Sequence, residues 1–391
     1  MMISDEAWCG VHSLLENYVG LRKDDAVVIV YSPDSHEAAA WVSAGISLRG
    51  NFLSRVPMQP LTDPTFRANL DAALPDPDEF PGRLVILTFE RETMSHDDAI
   101  RSVLRRYKTD RCLVFRSISS CNELFEYALH ATPDELTGLN TAVLERCMPA
   151  NRLRITTAGG TDLRVGIDSD RHRWISNRGR WRPGSFVILP AGEVATYPAS
   201  IEGVLVADFA FNVNAITERS ARLVESPVTV EIREGRAVAY SCDDSSIKSF
   251  LDECFYKHCA FNVGELGLGT NYRIKSAIHL NSHINERRPG VHIGFGQHNQ
   301  GNTLPYQCNI HLDLIANGAC IWIDDSPQPI DLENLRPSRN EHPDRPRSED
   351  VFSPEASDLE VEDCCGILTN NGLRVFADGQ CRDPQSMDGA R

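Results

Sequence analysis

Between Gly264 and Asp313 lie four side chains of types that bind divalent metal ions: Glu265, His292, His311 and Asp313. Each sits in an otherwise apolar segment punctuated by glycine. Residues 291–296 and 309–315 alternate apolar residues with His, Asp or Gly, which predicts strands. In the second, His311 and Asp313 are two positions apart and share a face, while Ile310, Leu312 and Leu314 occupy the other. An imidazole nitrogen and a carboxylate pointing into one space make half of a divalent-metal site. The same pair also serves as an ion pair or a solvated face. Upstream, residues 186–189 read as a buried strand running into a tight turn, 190–192, that presents a further carboxylate, Glu193.

Four local motifs carry these residues: Leu-Pro-Ala-Gly-Glu-Val at 189–194, Gly-Glu-Leu-Gly-Leu-Gly-Thr-Asn at 264–271, Val-His-Ile-Gly-Phe-Gly at 291–296 and Ile-His-Leu-Asp-Leu-Ile at 310–315. Over roughly residues 1–325 the chain resembles the aminopeptidase T/aminopeptidase S group of metallopeptidases, which includes leucyl aminopeptidases and thermophilic metalloproteases. The resemblance implies five metal ligands, at Glu193, Glu265, His292, His311 and Asp313, and a general base at Glu286, which otherwise reads as a carboxylate in a charged loop. It also implies a homodimer enclosing a chamber for short peptides. One position departs from the family: the Tyr seven residues beyond the first metal His, placed to stabilise the tetrahedral intermediate, is Asn299 here. Gln297 and His298 precede it and Tyr306 follows, and an amide or imidazole can still donate a hydrogen bond to an oxyanion. His279 and His283 flank Asn281-Ser282 and are weaker candidates for touching substrate or metal, against a bland role at the surface or in capping.

The chemistry this implies is hydrolysis at the N-terminus of a peptide. Two divalent ions, Zn, Co or Mn, would activate a shared water and polarise the scissile carbonyl. The same scaffold resembles the 2,5-dihydroxypyridine ring-cleaving dioxygenases, which use a single Fe(II). In those proteins the position matching Glu265 is His, so the Glu here favours hydrolysis. Two further readings are a peptide-tailoring enzyme of a biosynthetic pathway and a non-catalytic peptide-binding protein.

Composition narrows the partners. Lys and Arg number 39 against 55 Asp and Glu, a formal net charge of −16, which disfavours nucleic acid and anionic membrane surfaces because both demand a basic footprint. No basic segment followed by an apolar core opens the chain, and no run of about eighteen apolar residues occurs. A cytoplasmic protein is the expectation. The 12 cysteines are scattered and read as reduced, buried thiols, and the adjacent Cys364 and Cys365 have no second pair at zinc-ribbon spacing.

The elements that must position the candidate residues fall in two grammars. Apolar runs at 26–31, 84–89 and 111–115 alternate with helical patterns at 7–19, 36–49 and 96–107, the last with Ser95 as its cap, predicting an α/β domain with a mostly parallel sheet over 1–150. No Gly-x-Gly-x-x-Gly or Walker pattern accompanies it. A helix at 136–147 leads into short strands joined by turns, beginning with a hairpin over 153–167, with one helix at 246–258. Residues 151–326 are therefore expected to form a largely antiparallel α+β domain carrying the metal site. The Pro- and charge-rich stretch 327–358 reads as a linker or insertion that cannot order itself. Residues 366–376 read as a hairpin returning to the β domain and the last ten residues as disordered, so 327–391 forms a linker and tail.

Overall fold

Strands of six residues with every side chain buried, or all but one, need cover on both faces, which is the situation of a parallel sheet flanked by helices. The computed structural model describes residues 3–343 except 93, 108–109 and 301–303, together with strand segments at 348–349, 366–369, 372–377 and 380–382. In chain order the first part runs α1 (Asp5–Ser13), β1 (Ala26–Tyr31), α2 (His36–Arg49), β2 (Phe52–Pro57), α3 (Phe66–Ala73), β3 (Leu84–Phe89), α4 (Asp97–Arg106), β4 (Cys112–Ser117), α5 (Asn122–Glu126) and α6 (Pro133–Cys147). Alternation along the strands serves the two faces separately. Val27, Ile29, Val85 and Leu87 pack with Val11, Leu15, Val42 and Ile46 of α1, its continuation and α2. Val28, Val30, Ile86 and Val114 meet Phe66 and Leu70 of α3 and Ile100 and Val103 of α4.

The chain continues with β5 (Arg152–Thr156), β6 (Asp162–Gly166), β7 (Trp174–Asn177), β8 (Phe186–Leu189), β9 (Glu193–Thr196), β10 (Ser200–Ala207), β11 (Ala210–Val213), β12 (Ala215–Ile216), β13 (Val228–Arg233) and β14 (Arg236–Ser241). Then come α7 (Ser245–Cys254), β15 (Val263–Gly269), α8 (His283–Arg287), β16 (Gly290–Gly296), β17 (His311–Ile315), β18 (Cys320–Ile323) and β19 (Ile330–Asp331), and finally β20 (Ser348–Glu349), β21 (Gly366–Thr369), β22 (Gly372–Ala377) and β23 (Gln380–Arg382). The parallel sheet has the order β2-β1-β3-β4-β8, and two mainly antiparallel sheets follow, β14-β13-β10-β6-β5-β18-β19 and β11-β17-β16-β15-β9-β7-β20. The fold is therefore an α/β layer with a parallel sheet followed by a largely antiparallel α+β part. Leu153, Val165, Leu205 and Val230 of the first antiparallel sheet share one core with Leu266, Leu268, Ile293 and Leu312 of the second. With one face of the second sheet buried in that core, its other face is left for polar side chains.

The chain's last passage from the parallel sheet into the antiparallel part is a tight turn. β8 pairs in parallel with β4, and the turn Pro190-Ala191-Gly192 delivers it into β9, so the parallel sheet takes its last strand from beyond residue 150. Gly192 adopts φ 113°, and a Cβ there would stand 2.7 Å from that of Asn271. Buried amides staple the crossing. Asn140 on α6 donates to Ser176 Oγ at 3.0 Å and to the Glu193 carbonyl at 2.9 Å, while accepting from Thr270 Oγ1 at 2.6 Å. Asn271 donates to the carbonyls of Ala128 and Ala191.

Several expectations are corrected. Ser95 does not cap α4: His96 holds the N-cap position at φ 56°, while the Ser95 amide donates to Glu90 and its hydroxyl accepts from Leu61. The helix expected over 246–258 ends at Cys254 and gives way to a separate tight turn over His258–Phe261. That turn brings Cys259 beside Cys308, 49 residues on, and the two form a disulfide. The reading of the cysteines as reduced thiols fails for this pair because spacing along the chain carries no sign of the contact, and the cysteines no longer argue for a reducing compartment. Cys364 and Cys365 lie outside the described residues.

The described part of the linker expected over 327–358, residues 327–343 and 348–349, is structured. Ile330 and Leu332 are buried, β19 pairs with β18, and His342 is hydrogen-bonded to Ser176. Ile330, Leu332 and Leu335 find the existing core, which average composition could not show. Of the tail, β21 pairs with β22 and runs parallel to β12, as the hairpin reading required, while the last ten residues, except Arg382, lie outside the described residues. Among the described residues no helix is long and apolar enough to cross a membrane.

Asn140→Ala should lower stability by roughly 1–3 kcal/mol, since it leaves a buried hydroxyl and carbonyl without their partner. A urea unfolding midpoint indistinguishable from the parent would contradict this role.

Candidate metal centre

The polar face of the second antiparallel sheet is a lattice in which glycines alternate with ligand-type residues. Glu265 lies opposite Gly294, which in turn lies opposite Asp313, and Asp313 opposite Asn212. In the neighbouring row Gly267 lies opposite His292, and at the strand end Gly296 faces His311. The alternate residues Leu266, Ile293, Leu312 and Leu314 point into the core, so the register has no freedom to slip. The glycines are needed for space. A Cβ on Gly267 would lie 1.9 Å from His292 Nε2, and one on Gly294 would lie 2.9 Å from Asp313 Oδ1 and 3.0 Å from Glu265 Cβ.

Glu193 enters from the start of β9, and α8, which lies against β11, β15, β16 and β17, brings Glu286 and Arg287. His292 Nε2 stands 3.0 Å from Glu193 Oε1 and 3.7 Å from Glu265 Oε1, and His311 Nε2 stands 3.2 Å from Asp313 Oδ1. Ligand atoms of Glu265, His292 and Asp313 all lie within 4.8 Å of one another, as do those of Glu193, Glu286 and His292. Arg287 Nη1 donates to Glu193 Oε2 at 2.7 Å and to Glu286 Oε2 at 2.8 Å.

The electrostatics follow from this crowding. Burial opposes ionisation of Glu193, but Arg287 and His292 outweigh it and hold the carboxyl down to about 2. Burial likewise opposes protonation of His292 and His311. Glu193 and Glu265 nonetheless raise His292, and Asp313 lifts His311 to about 10. Burial and the Glu286 carboxylate push Asp313 up against the pull of His311. The site thus draws positive charge onto its imidazoles, the property expected of carboxylates placed to hold a cation.

The sequence-predicted residues separate cleanly. Glu193, Glu265, His292, His311 and Asp313 are brought together. Glu286 joins them from a short helix, buried, and accepts from Asn212 and Arg287, which corrects its reading as part of a charged loop. His283 opens that helix, and burial together with Arg287 lowers it to about 3, leaving a neutral imidazole among charged neighbours. His279 is exposed and its side chain takes no part in the cluster. Asn299 donates to Glu265 Oε2 at 2.6 Å, so it orients a candidate ligand at the position where the family resemblance implies a Tyr. His298 and Tyr306 contact each other, and the Tyr306 hydroxyl is directed to the Val263 carbonyl. Arg287, Asn212 and the paired glycines were not anticipated. Gly267, two positions from Glu265 on one strand face, is the signal that could have found the glycines.

A divalent ion fits the donor set. Asp313 Oδ1 and His292 Nε2 are buried and have no hydrogen bond of good geometry among the described residues. His311 Nδ1 lies 3.1 Å from the Gln297 carbonyl. A proton on that nitrogen leaves Nε2 free to ligate, as the outer-shell partner of a metal-bound histidine does.

Known proteins share this architecture. Residues 198–322 match the family described as "Crocagin biosynthetic protein CgnE/B", a stretch that contains Glu265, Glu286, His292, His311 and Asp313 but not Glu193. No curated protein matches the chain by sequence. Among solved structures, 2,5-dihydroxypyridine dioxygenase from Pseudomonas putida KT2440 is similar at 14% identity and TM-score 0.57, covering 84% of this chain and 96% of that one. Wild-type AmpT from Thermus thermophilus is similar at 14% identity and TM-score 0.53, covering 84% of this chain and 98% of that one. At that identity both likenesses establish the fold.

Gly294→Ala should weaken Zn²⁺ binding by about 10–100-fold with an unchanged far-ultraviolet circular dichroism spectrum, because its methyl displaces ligands it does not replace. Competition with a chromogenic chelator measures this, and unchanged affinity would show that the cradle is not the binding site.

Proposed function

We propose that this protein is a metal-dependent, aminopeptidase-like hydrolase that acts on the N-terminus of a peptide, as a tailoring step in a biosynthetic pathway. The observation that supports it most directly is the convergence of Glu265, His292, His311 and Asp313 on one glycine-cleared space, with two spare carboxylates, Glu193 and Glu286, beside it. Mixed imidazole and carboxylate ligation without thiolate suits Zn, Co or Mn. A divalent ion bound there would lower the pKa of a water and polarise the scissile carbonyl.

The chain's own groups do the rest. Asn299 fixes the Glu265 carboxylate by hydrogen bonding to Oε2, leaving Oε1 turned toward His292. Asn212 and Arg287 fix Glu286 at the edge of the cluster, where it takes the proton of the attacking water and returns it to the leaving amine. His283, held neutral by burial and Arg287, resists protonation and so leaves the base role to Glu286. Glu193, anchored by Arg287, contributes negative charge opposite the free amine of the substrate. The biosynthetic setting is supported by the family matched over 198–322.

Glu265→Ala should lose bound metal and all turnover while remaining folded, because it removes a ligand and no core side chain. Full metal content in that variant, read by elemental analysis, would remove Glu265 from the ligand set.

Glu286→Gln should keep its metal but lower release of N-terminal residues from a peptide panel, followed by mass spectrometry, by roughly 10²–10⁴-fold. A loss below about threefold would leave Glu286 without a catalytic role. Copurifying Fe(II) with oxygen consumption would instead replace hydrolysis with ring-cleaving chemistry.

A further inference from the structure

Arg287 is the one guanidinium aimed into the acidic cluster among the described residues. Its side chain is only 5% exposed, and Nη1 bridges Glu193 Oε2 and Glu286 Oε2 at 2.7 and 2.8 Å. Nε donates to the Pro190 carbonyl at 3.2 Å, which anchors the group to the turn between the two layers and keeps it from swinging out. By proximity alone Glu193, Glu286 and His292 qualify as a metal-binding trio. Their lone pairs tell otherwise. Both oxygens of Glu286 already accept, from Asn212 Nδ2 and from Arg287 Nη1, and Glu193 keeps only Oε1 for other use. A cation ligated by these carboxylates needs their oxygens at about 2.0–2.2 Å. The Arg nitrogen already holds those oxygens, and its own charge repels a second cation.

The other half of the cluster has the opposite character. Asp313 Oδ1 and His292 Nε2 are buried without a hydrogen bond of good geometry among the described residues, their nearest groups being His311 Nε2 at 3.2 Å and Glu193 Oε1 at 3.0 Å, and Glu265 Oε1 stands 3.7 Å from His292 Nε2. No guanidinium or ammonium reaches these atoms among the described residues.

Resting on the metal-dependent reading above, we propose that Arg287 takes the place of the second metal ion. The protein then binds one divalent ion per chain, through Glu265, His292, His311 and Asp313, and Arg287 is the fixed monovalent cation shared by Glu193 and Glu286. The two-ion site implied by the family resemblance is thereby reduced to one ion and one guanidinium. Removing the guanidinium would leave Glu286 without a counter-charge and Glu193 with only His292, and a buried site so under-compensated gains most from recruiting a cation.

The test is metal stoichiometry on the full chain. After equilibrium dialysis against Zn²⁺, elemental analysis should give one ion per wild-type chain and two for Arg287→Met, while Arg287→Lys, which keeps a charge, should stay at one. Two ions on the wild type overturn the proposal, as does a single ion on a folded Arg287→Met. No ion on the wild type instead overturns the metal-dependent reading itself, and so separates the two failures. Glu286→Gln provides a check that does not require the Arg287 variants to fold. It should retain one ion with affinity changed by less than about threefold, and a larger loss would make Glu286 a ligand and overturn the assignment.

Discussion

Four carboxylates enclosed on the face of one sheet impose the constraint that the rest of this structure answers. Glu193, Glu286 and Asp313 are nearly inaccessible and Glu265 is largely so, and buried charge is tolerated only with compensating charge and hydrogen bonds. Every unusual feature nearby supplies one or the other. Arg287 bridges two of the carboxylates, Asn212 and Asn299 donate to two, and His292 and His311 are held beside the remaining oxygens. The glycines on β15 and β16 make the enclosure possible, because any side chain at Gly267 or Gly294 would fill it.

The two layers of the fold meet where this compensation is built. β8 completes the parallel sheet, and after a three-residue turn Glu193 opens β9 in the antiparallel sheet, so the first carboxylate is fixed by the crossing itself. Asn140 and Asn271 hold that crossing through buried hydrogen bonds, and Arg287 ties the carbonyl of Pro190 to the same cluster. Disturbing the crossing would therefore move a candidate ligand as well as a seam between layers.

An aminopeptidase and a dioxygenase both share this architecture, so the fold leaves the reaction open and the donor set must argue for it. Here Glu265 keeps the set rich in carboxylate. Asn299, at the position where the family resemblance implies a Tyr, supports a carboxylate through its side-chain amide. Arg287 brings a permanent cation into the carboxylate cluster, where it occupies oxygen lone pairs.

How much of this was legible in the chain depended on the range of the interaction. Period-two alternation placed His311 and Asp313 on one face, and continuous apolar runs marked β1, β3 and β4, because these patterns are local and each strand's burial is written in its own residues. The same locality misled over 327–343, whose few apolar side chains find a core made elsewhere, and over the helix start at Asp97, where a hydroxyl was engaged by a distant backbone amide. Cys259 and Cys308, 49 residues apart, could not be paired from spacing. Residue types and strand faces were thus determined by the sequence itself. Tertiary structure alone decided that Glu286 is buried rather than solvated and that Arg287 points inward, because both depend on α8 closing over β11, β15, β16 and β17, strands that meet only once the sheet has formed.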